Sequence, residues 1–163
     1  DNSGPFYNPE QMKRWILPYM AEWADALRRM GMYSILHTDG NVYSHLDAIA
    51  STGLDAIQAI DPVAGMDMRK TRDMVGNRLC LCGNIDCGLL LRGRPPEVYE
   101  STRRLLTNCK AGGALVLGTS NAVQPDVPME NYRAMICGWR DFGRYSGTKD
   151  TLQNNAVVDA AGK

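Results

Sequence analysis

The chain has 163 residues, of which 44% are apolar and 22% charged, a composition typical of one globular domain rather than of a disordered or fibrous chain. Eighteen Lys and Arg residues balance eighteen Asp and Glu residues, which argues against nucleic-acid binding because phosphate contacts require a basic excess. No apolar run approaches the roughly 20 residues of a membrane-spanning helix. Five cysteines without regular spacing predict free thiols in a reducing compartment, so we expect a cytoplasmic protein that binds neither membranes nor nucleic acids.

The first segment predicts a long helix from Asn8 to Met30. Asn8 can cap its start, Pro9 lies where a missing N–H is harmless, and Pro18 should kink the helix or divide it in two. Apolar side chains recur along it at helical spacing and form one stripe, which consists of Trp15, Tyr19, Trp23, Ala26, Leu27 and Met30.

After this helix, short apolar runs alternate with amphipathic segments. The runs predict strands at 32–37, 54–60, 79–82 and 114–117, and the segments predict helices at 42–51, 66–75, 95–109 and 128–144. Residues 87–94 are predicted to be an insertion or a functional loop. We expect the domain to cover 1–145 and a polar, loosely ordered tail to cover 146–163.

This alternation predicts an α/β fold with a parallel sheet and covering helices. Four βα units suit either a doubly wound sheet or half of an eight-unit barrel, which needs ~250 residues when complete. Polar side chains follow each predicted strand, and in a barrel these loops build the active site, which favours the barrel. The side chains are those of His37, Asp39, Asn41, Asp61, Asn84, Asp86, Ser120 and Asn121.

Five motifs resemble those of uroporphyrinogen decarboxylase-like proteins, a superfamily that also contains cobalamin-linked methyltransferases. They are HTDGN at 37–41, GNID at 83–86, GRPPEV at 93–98, GTSN at 118–121 and PDVPMEN at 125–131. The resemblance extends from about residue 1 to 145 and implies the C-terminal half of a (β/α)8 barrel, strands five to eight. It also implies a partner, either a missing N-terminal half-barrel or a second copy of the chain, because both edges of the half sheet would be open.

The methyltransferase branch implies a zinc site. Its members carry a His-x-Cys pair after strand five, where this chain has His37 and Asp39, and a further cysteine after strand eight, where it has Thr119 or Ser120. The resemblance therefore implies methyl transfer between a methylated corrinoid (cobalamin), carried on a partner protein, and an acceptor, with zinc bound by His37 and Asp39. Porphyrinogen decarboxylation is one alternative, and a non-catalytic half-barrel that needs a partner chain is another.

His37 and Asp39 are the predicted catalytic or metal-binding pair, because two residues at one strand end can both point toward the barrel mouth. The alternative is a histidine satisfied by the loop and an aspartate that caps the next helix. We predict that the pair faces Asn84 and Asn121, and that a wider group binds substrate: Asn41, Asn84, Asp86, Ser120 and Asn121. Cys80, Cys82 and Cys87 are interpreted chiefly as packing residues rather than metal ligands.

Overall fold

The computed structural model describes residues 4–145 and contains one parallel four-stranded sheet. Its strands are β1 (Ile35–Thr38), β2 (Ala56–Ala59), β3 (Cys80–Ile85) and β4 (Leu115–Thr119), and they lie in the order β1-β2-β3-β4. Each consecutive pair is joined by a helical crossover, so the predicted βα repeat is confirmed. The predicted tail at 146–163 lies outside the described residues.

Seven α-helices accompany the strands within residues 4–145. They are α1 (Pro9–Trp15), α2 (Leu17–Arg29), α3 (Leu46–Ala50), α4 (Met68–Val75), α5 (Cys87–Arg92), α6 (Pro95–Cys109) and α7 (Met129–Phe142). Single 3₁₀ turns at Tyr43–His45 and Pro62–Ala64 precede α3 and α4. None of these helices has the length and apolar character needed to cross a membrane.

The predicted first helix is divided, as its proline suggested. Asn8 caps α1, since its side chain accepts a hydrogen bond from the Gln11 backbone N–H at 2.9 Å. The break falls at Ile16, and Pro18 lies in the first turn of α2, where it removes no helical hydrogen bond.

Residues 87–94, predicted to be an insertion or a functional loop, are not a loop over most of their length. Residues 87–92 form α5, whose N-cap is Asp86, and the Asp86 carboxylate accepts a hydrogen bond from the Leu89 N–H at 2.6 Å. Leu90 is completely buried. Six residues are too few to show a helical period in the sequence, and the cap and the buried leucine stabilise the helix instead.

The helices cover only one face of the sheet. Ile57 and Leu81 point into this covered face and pack with Leu46, Ile49 and Val75 of the surrounding helices. On the opposite face, Ile35 is 62% exposed and Val116 54% exposed. Parallel sheets are normally covered on both faces, so the bare face is what half of a barrel would present before the other half closes over it.

Apolar surface also remains beside both open edges, β1 and β4. The predicted stripe on the first helices exists, but Trp15, Tyr19 and Trp23 are exposed rather than packed against the described residues. The residue of α2 that is buried is instead Ala24. Trp139 of α7, next to the other edge, is exposed as well. Exposed apolar surface of this extent marks an interaction surface.

Candidate functional site

A polar cluster forms where β1 and β4 end. His37 Nε2 lies 3.6 Å from Asp39 Oδ2. The Asn121 side-chain amide donates a hydrogen bond to the other carboxylate oxygen, Asp39 Oδ1, at 2.9 Å. The ends of the two edge strands thus bring together three of the predicted site residues. Asp39 and Asn121, which are in direct contact, lie 82 positions apart in the sequence.

The loop that carries Asn121 is held by its own hydrogen bonds. The Asn121 carbonyl accepts from the Thr119 hydroxyl, and its side-chain oxygen accepts from the Ala122 N–H at 2.7 Å. With the side-chain oxygen so occupied, the amide nitrogen is directed to Asp39. These local hydrogen bonds fix a loop that has no regular secondary structure, so Asn121 is an ordered donor to the carboxylate.

Gln58 belongs to the same cluster, although no motif in the sequence pointed to it. It lies opposite His37 in the β1–β2 register, and its side-chain oxygen is in hydrogen-bond contact with His37 Nδ1. In a parallel sheet, residues opposite each other share a face, so the register is the signal that would have revealed the contact. The register itself is fixed only in the folded sheet.

The geometry leaves room for a cation between His37 and Asp39. In the tautomer in which Nδ1–H donates to the Gln58 oxygen, the Nε2 lone pair faces the Asp39 carboxylate. Two acceptors repel each other unless a proton or a metal ion lies between them. Tetrahedral zinc with one nitrogen and one oxygen ligand holds those atoms about 3.4 Å apart, close to the separation found here.

The described residues supply only part of a metal site. Within 4–145, no group of three or more His, Cys, Asp or Glu side chains converges on one point. His37 and Asp39 therefore fit zinc as two of its four ligands, and the remaining ligands would be water or donors from beyond the described residues.

Three other predicted site residues are hydrogen-bonded mainly to the backbone. The Asn41 amide donates to the Ala64 carbonyl at 3.2 Å, and the Asn84 amide donates to the Ile60 carbonyl at 2.8 Å. Asp86 caps α5. Asn84 and Asp86 also line a cavity of about 350 Å³ between α4 and α6, whose lining does not include His37, Asp39 or Asn121.

Ser120 connects the cluster to a thiol. It is buried, and its hydroxyl donates to Cys87 Sγ at 3.4 Å, while the Cys87 thiol donates to the Ala122 carbonyl at 3.6 Å. The loop after β4 therefore contacts Asp39 on one side, through Asn121, and Cys87 on the other. This contact positions the first turn of α5 against the loop.

Cys80 and Cys82 lie on the bare face of β3, two residues apart. Burial, and to a smaller extent the neighbouring Cys80, raise the pKa of the Cys82 thiol to about 11. Such a thiol remains protonated at neutral pH and packs as a small apolar side chain. This agrees with the interpretation of Cys82 as a packing residue.

Fold and site together define a class of protein: a half of a parallel βα barrel that carries a polar cluster at the carboxyl ends of its strands. A sequence profile of the uroporphyrinogen decarboxylase (URO-D) family matches residues 1–141, and the chain belongs to that family.

The relatives of this chain are named for two different activities. The chain is 27% identical over 140 residues to a uroporphyrinogen decarboxylase of Syntrophotalea carbinolica, which covers 83% of the chain and 38% of the relative. It is also 27% identical over 158 residues to a methylated-thiol–coenzyme M methyltransferase of Methanosarcina mazei, with 95% of the chain and 40% of the relative covered. The chain thus spans about two-fifths of the length of these curated relatives.

Among solved structures, a methyltransferase from Methanosarcina mazei superimposes with a TM-score of 0.72 at 22% sequence identity. The match covers 85% of this chain and 39% of that structure. It establishes the fold: the described sheet is part of a TIM-type (β/α)8 barrel, as the strand order and the bare sheet face indicate.

Proposed function

We propose that this chain forms the C-terminal half of a corrinoid methyltransferase-like barrel, which transfers a methyl group between a methylated corrinoid, or another methyl donor, and an acceptor. The observation that carries the proposal is the facing pair of His37 Nε2 and Asp39 Oδ2, which lie 3.6 Å apart. A methylcobamide:CoM methyltransferase of Methanosarcina acetivorans, 29% identical over 104 residues, adds support from the comparisons.

Each residue of the cluster has a separate part in holding the site. His37 and Asp39 would provide one nitrogen and one oxygen ligand to zinc, which as a Lewis acid lowers the pKa of an acceptor bound to it. Asn121 donates to the second carboxylate oxygen and so keeps Oδ2 turned toward the imidazole. With a harder carboxylate in place of a thiolate, the bound ion keeps more positive charge and is a stronger Lewis acid.

Zinc binding to the chain tests this proposal. Isothermal titration with zinc should show one site per chain, and both His37→Ala and Asp39→Ala should weaken it at least tenfold because each removes one of two ligands. Asp25→Ala is a matched control, since this exposed carboxylate lies on α2 in a pair with Arg29. Equal zinc affinity in all four proteins would refute the role of the pair.

Activity requires the complete barrel, so methyl transfer is tested in the complete protein. Transfer from a methylated corrinoid to a thiol should be lost in His37→Ala and retained in Asp25→Ala. Uroporphyrinogen decarboxylation is a second candidate, because relatives of that name match at similar identity. Carbon dioxide release from a porphyrinogen that persists in His37→Ala and in the presence of a zinc chelator would favour the decarboxylase.

The partner that completes the barrel follows from the open edges. A half-barrel joined upstream, or a second copy of the chain, would pair with β1 and β4 and cover the bare sheet face. A corrinoid-carrying protein would then approach the mouth where the polar cluster lies. Without such a partner, the chain would serve only as a non-catalytic half-barrel.

A further inference from the structure

We propose that the cavity between α4 and α6 binds a zwitterionic ligand, an α-amino acid with a small apolar side chain. The cavity has a volume of about 350 Å³, at the lower end of the range that small-molecule sites occupy. Its lining comes entirely from residues 62–109 and includes neither His37 nor Asp39. The inference is therefore independent of the proposed zinc site, and the described residues supply every group that it needs.

One guanidinium of the lining has no closely held counter-ion among the described residues. Arg103 donates to both carboxylate oxygens of Glu100, at 2.6 and 2.7 Å. Arg104, which lines the cavity, reaches the same carboxylate only at 4.0 Å, and its side chain is 66% exposed. The N–H donors of Arg104 are therefore available to a carboxylate that enters the cavity.

Arg69 is the second arginine of the lining, and its charge is already compensated. It donates to Asp73 at 2.9 Å and to the Asn108 carbonyl at 3.3 Å. The second of these bonds joins α4 to the last turns of α6, the two helices that form the walls of the cavity. Arg69 therefore fixes the shape of the cavity, and Arg104 is the cation that a ligand can use.

Two carboxylates of the same lining form no ion pair within residues 4–145. They are Asp67 and Asp86, the N-cap residues of α4 and α5. Asp67 Oδ1 accepts from the Lys70 N–H at 2.7 Å, and Asp86 Oδ1 accepts from the Leu89 N–H at 2.6 Å. Because a carboxylate has about four acceptor sites, each can also accept from an ammonium group.

This combination of charges favours a zwitterion over a simple ion. A simple anion bound by Arg104 would meet the like charges of Asp67 and Asp86, and a simple cation would leave the arginine without a partner. An α-amino acid offers a carboxylate and an ammonium group within one small molecule. The side chains of Met66 and Leu105, also in the lining, provide apolar contact for its side chain.

The backbone beside this cavity is held in a strained conformation. Ile60, at the end of β2, is buried and has a φ of 51°, a left-handed conformation that β-branched residues rarely adopt. The amide of Asn84, a lining residue, donates to the Ile60 carbonyl at 2.8 Å and so supports the turn that leads to Pro62. Strained backbone of this kind concentrates at ligand sites, which gives the inference a second line of support.

Isothermal titration of the 163-residue chain with L-alanine, L-valine and L-leucine tests the inference. At least one should bind saturably at one site per chain, and its analogues with a single charge should bind at least tenfold more weakly. For L-leucine these analogues are 4-methylpentanoate, which lacks the ammonium group, and 3-methylbutylamine, which lacks the carboxylate. Absence of saturable binding by all three amino acids at ~10 mM, or equal binding of an analogue, would overturn the inference.

Substitutions that remove one charge assign the two ends of the ligand. Arg104→Gln should weaken binding at least tenfold, whereas Arg14→Gln, at an exposed position of α1, is the control and should stay within twofold. Asp67→Asn and Asp86→Asn keep an N-cap side chain, because asparagine caps helices about as well as aspartate. At least one of them should weaken amino-acid binding tenfold without weakening the binding of the carboxylate analogue. Unchanged affinity in Arg104→Gln, or in both aspartate variants, would refute the assignment.

Nuclear magnetic resonance and zinc titration distinguish this inference from the proposed function. The bound amino acid should shift the backbone amide signals of Ser101 and Asn108, which line the cavity, and leave those of His37 and Asp39 in place. Shifts confined to His37 and Asp39 would place the ligand in the polar cluster and overturn the inference. A chain that binds the amino acid at 101–108 but binds no zinc would refute the proposed metal site alone.

Discussion

Replacement of Asn131 by alanine should be among the most destabilising polar substitutions in the chain. Asn131 lies on α7, is 1% exposed, and its amide donates to the carbonyls of Leu90 and Gly93, each at 2.8 Å. These two hydrogen bonds tie α7 to the end of α5. Since α5 begins next to Asp86 and α7 follows the loop that carries Asn121, the tie also supports the barrel mouth.

The expected loss follows from the polar groups left buried. A buried carbonyl without a donor costs ~1–3 kcal/mol, and because the contact to Leu90 is buried but the contact to Gly93 is only partly buried, the two together cost about 3 kcal/mol. No donor among the described residues reaches Asn131 Oδ1. Removing this unsatisfied oxygen therefore raises the free energy of unfolding by about 1 kcal/mol and offsets part of the loss. We therefore expect Asn131→Ala to lower the free energy of unfolding by about 2 kcal/mol, or the Tm by about 6 °C for a domain of this size.

Urea unfolding followed by circular dichroism measures this change. Asn131→Asp keeps the shape but cannot donate to the carbonyls when ionised, so it should cost at least as much as alanine. Asn108→Ala, at an exposed position of α6, is the control and should stay within about 0.5 kcal/mol of the unmodified chain. If Asn131→Ala behaves like this control, the hydrogen bonds of Asn131 do not stabilise the fold.

Gly83→Ala should destabilise the chain by about 3 kcal/mol or more, because its Cβ would lie 2.6 Å from the Ala59 carbonyl oxygen at φ +133°. Gly118→Ala, with open space around the new Cβ, is the control in the same urea titrations. The backbone N–H and then the hydroxyl of Ser34 lower the pKa of Asp55, so its contribution to stability should be present above pH ~4 and lost as the pH falls through the lowered pKa. Asp55→Asn should remove that acid dependence. If the free energy of unfolding changes with pH in the same way in Asp55→Asn and in the unmodified chain, Asp55 is not the source of the acid dependence. In sedimentation, the chain should show a concentration-dependent mass above that of one chain, and a single ideal monomer at all concentrations would count against the open edges as a pairing surface.

Several elements could be predicted from the sequence because they depend on residues that are close together in the chain. The helix at 95–109 has the predicted bounds, because two prolines and Glu97 begin it and its apolar residues repeat with a helical period. The break in the first helix near Pro18 is equally local. The prediction that His37 and Asp39 face Asn84 and Asn121 rested on a general property of parallel barrels, whose strands all end at the same mouth, and in the structure Asn121 contacts Asp39.

Other features depend on how distant segments pack. The short helix α5 has no period of its own, and its stability comes from the Asp86 cap and the burial of Leu90. The exposure of Trp23 cannot be read from an apolar stripe, because the same pattern serves a helix that faces its own core and one that faces a partner.

By itself, the sequence determined the α/β class, the order of strands and helices, and the pairing of His37 with Asp39 at one strand end, because each depends on residues close together in the chain. Only the tertiary structure decided that Gln58 holds His37, since this depends on the register between β1 and β2. A shift of one residue would turn every side chain of β2 to the other face of the sheet, and the energy that selects the register comes from the packing of the whole core.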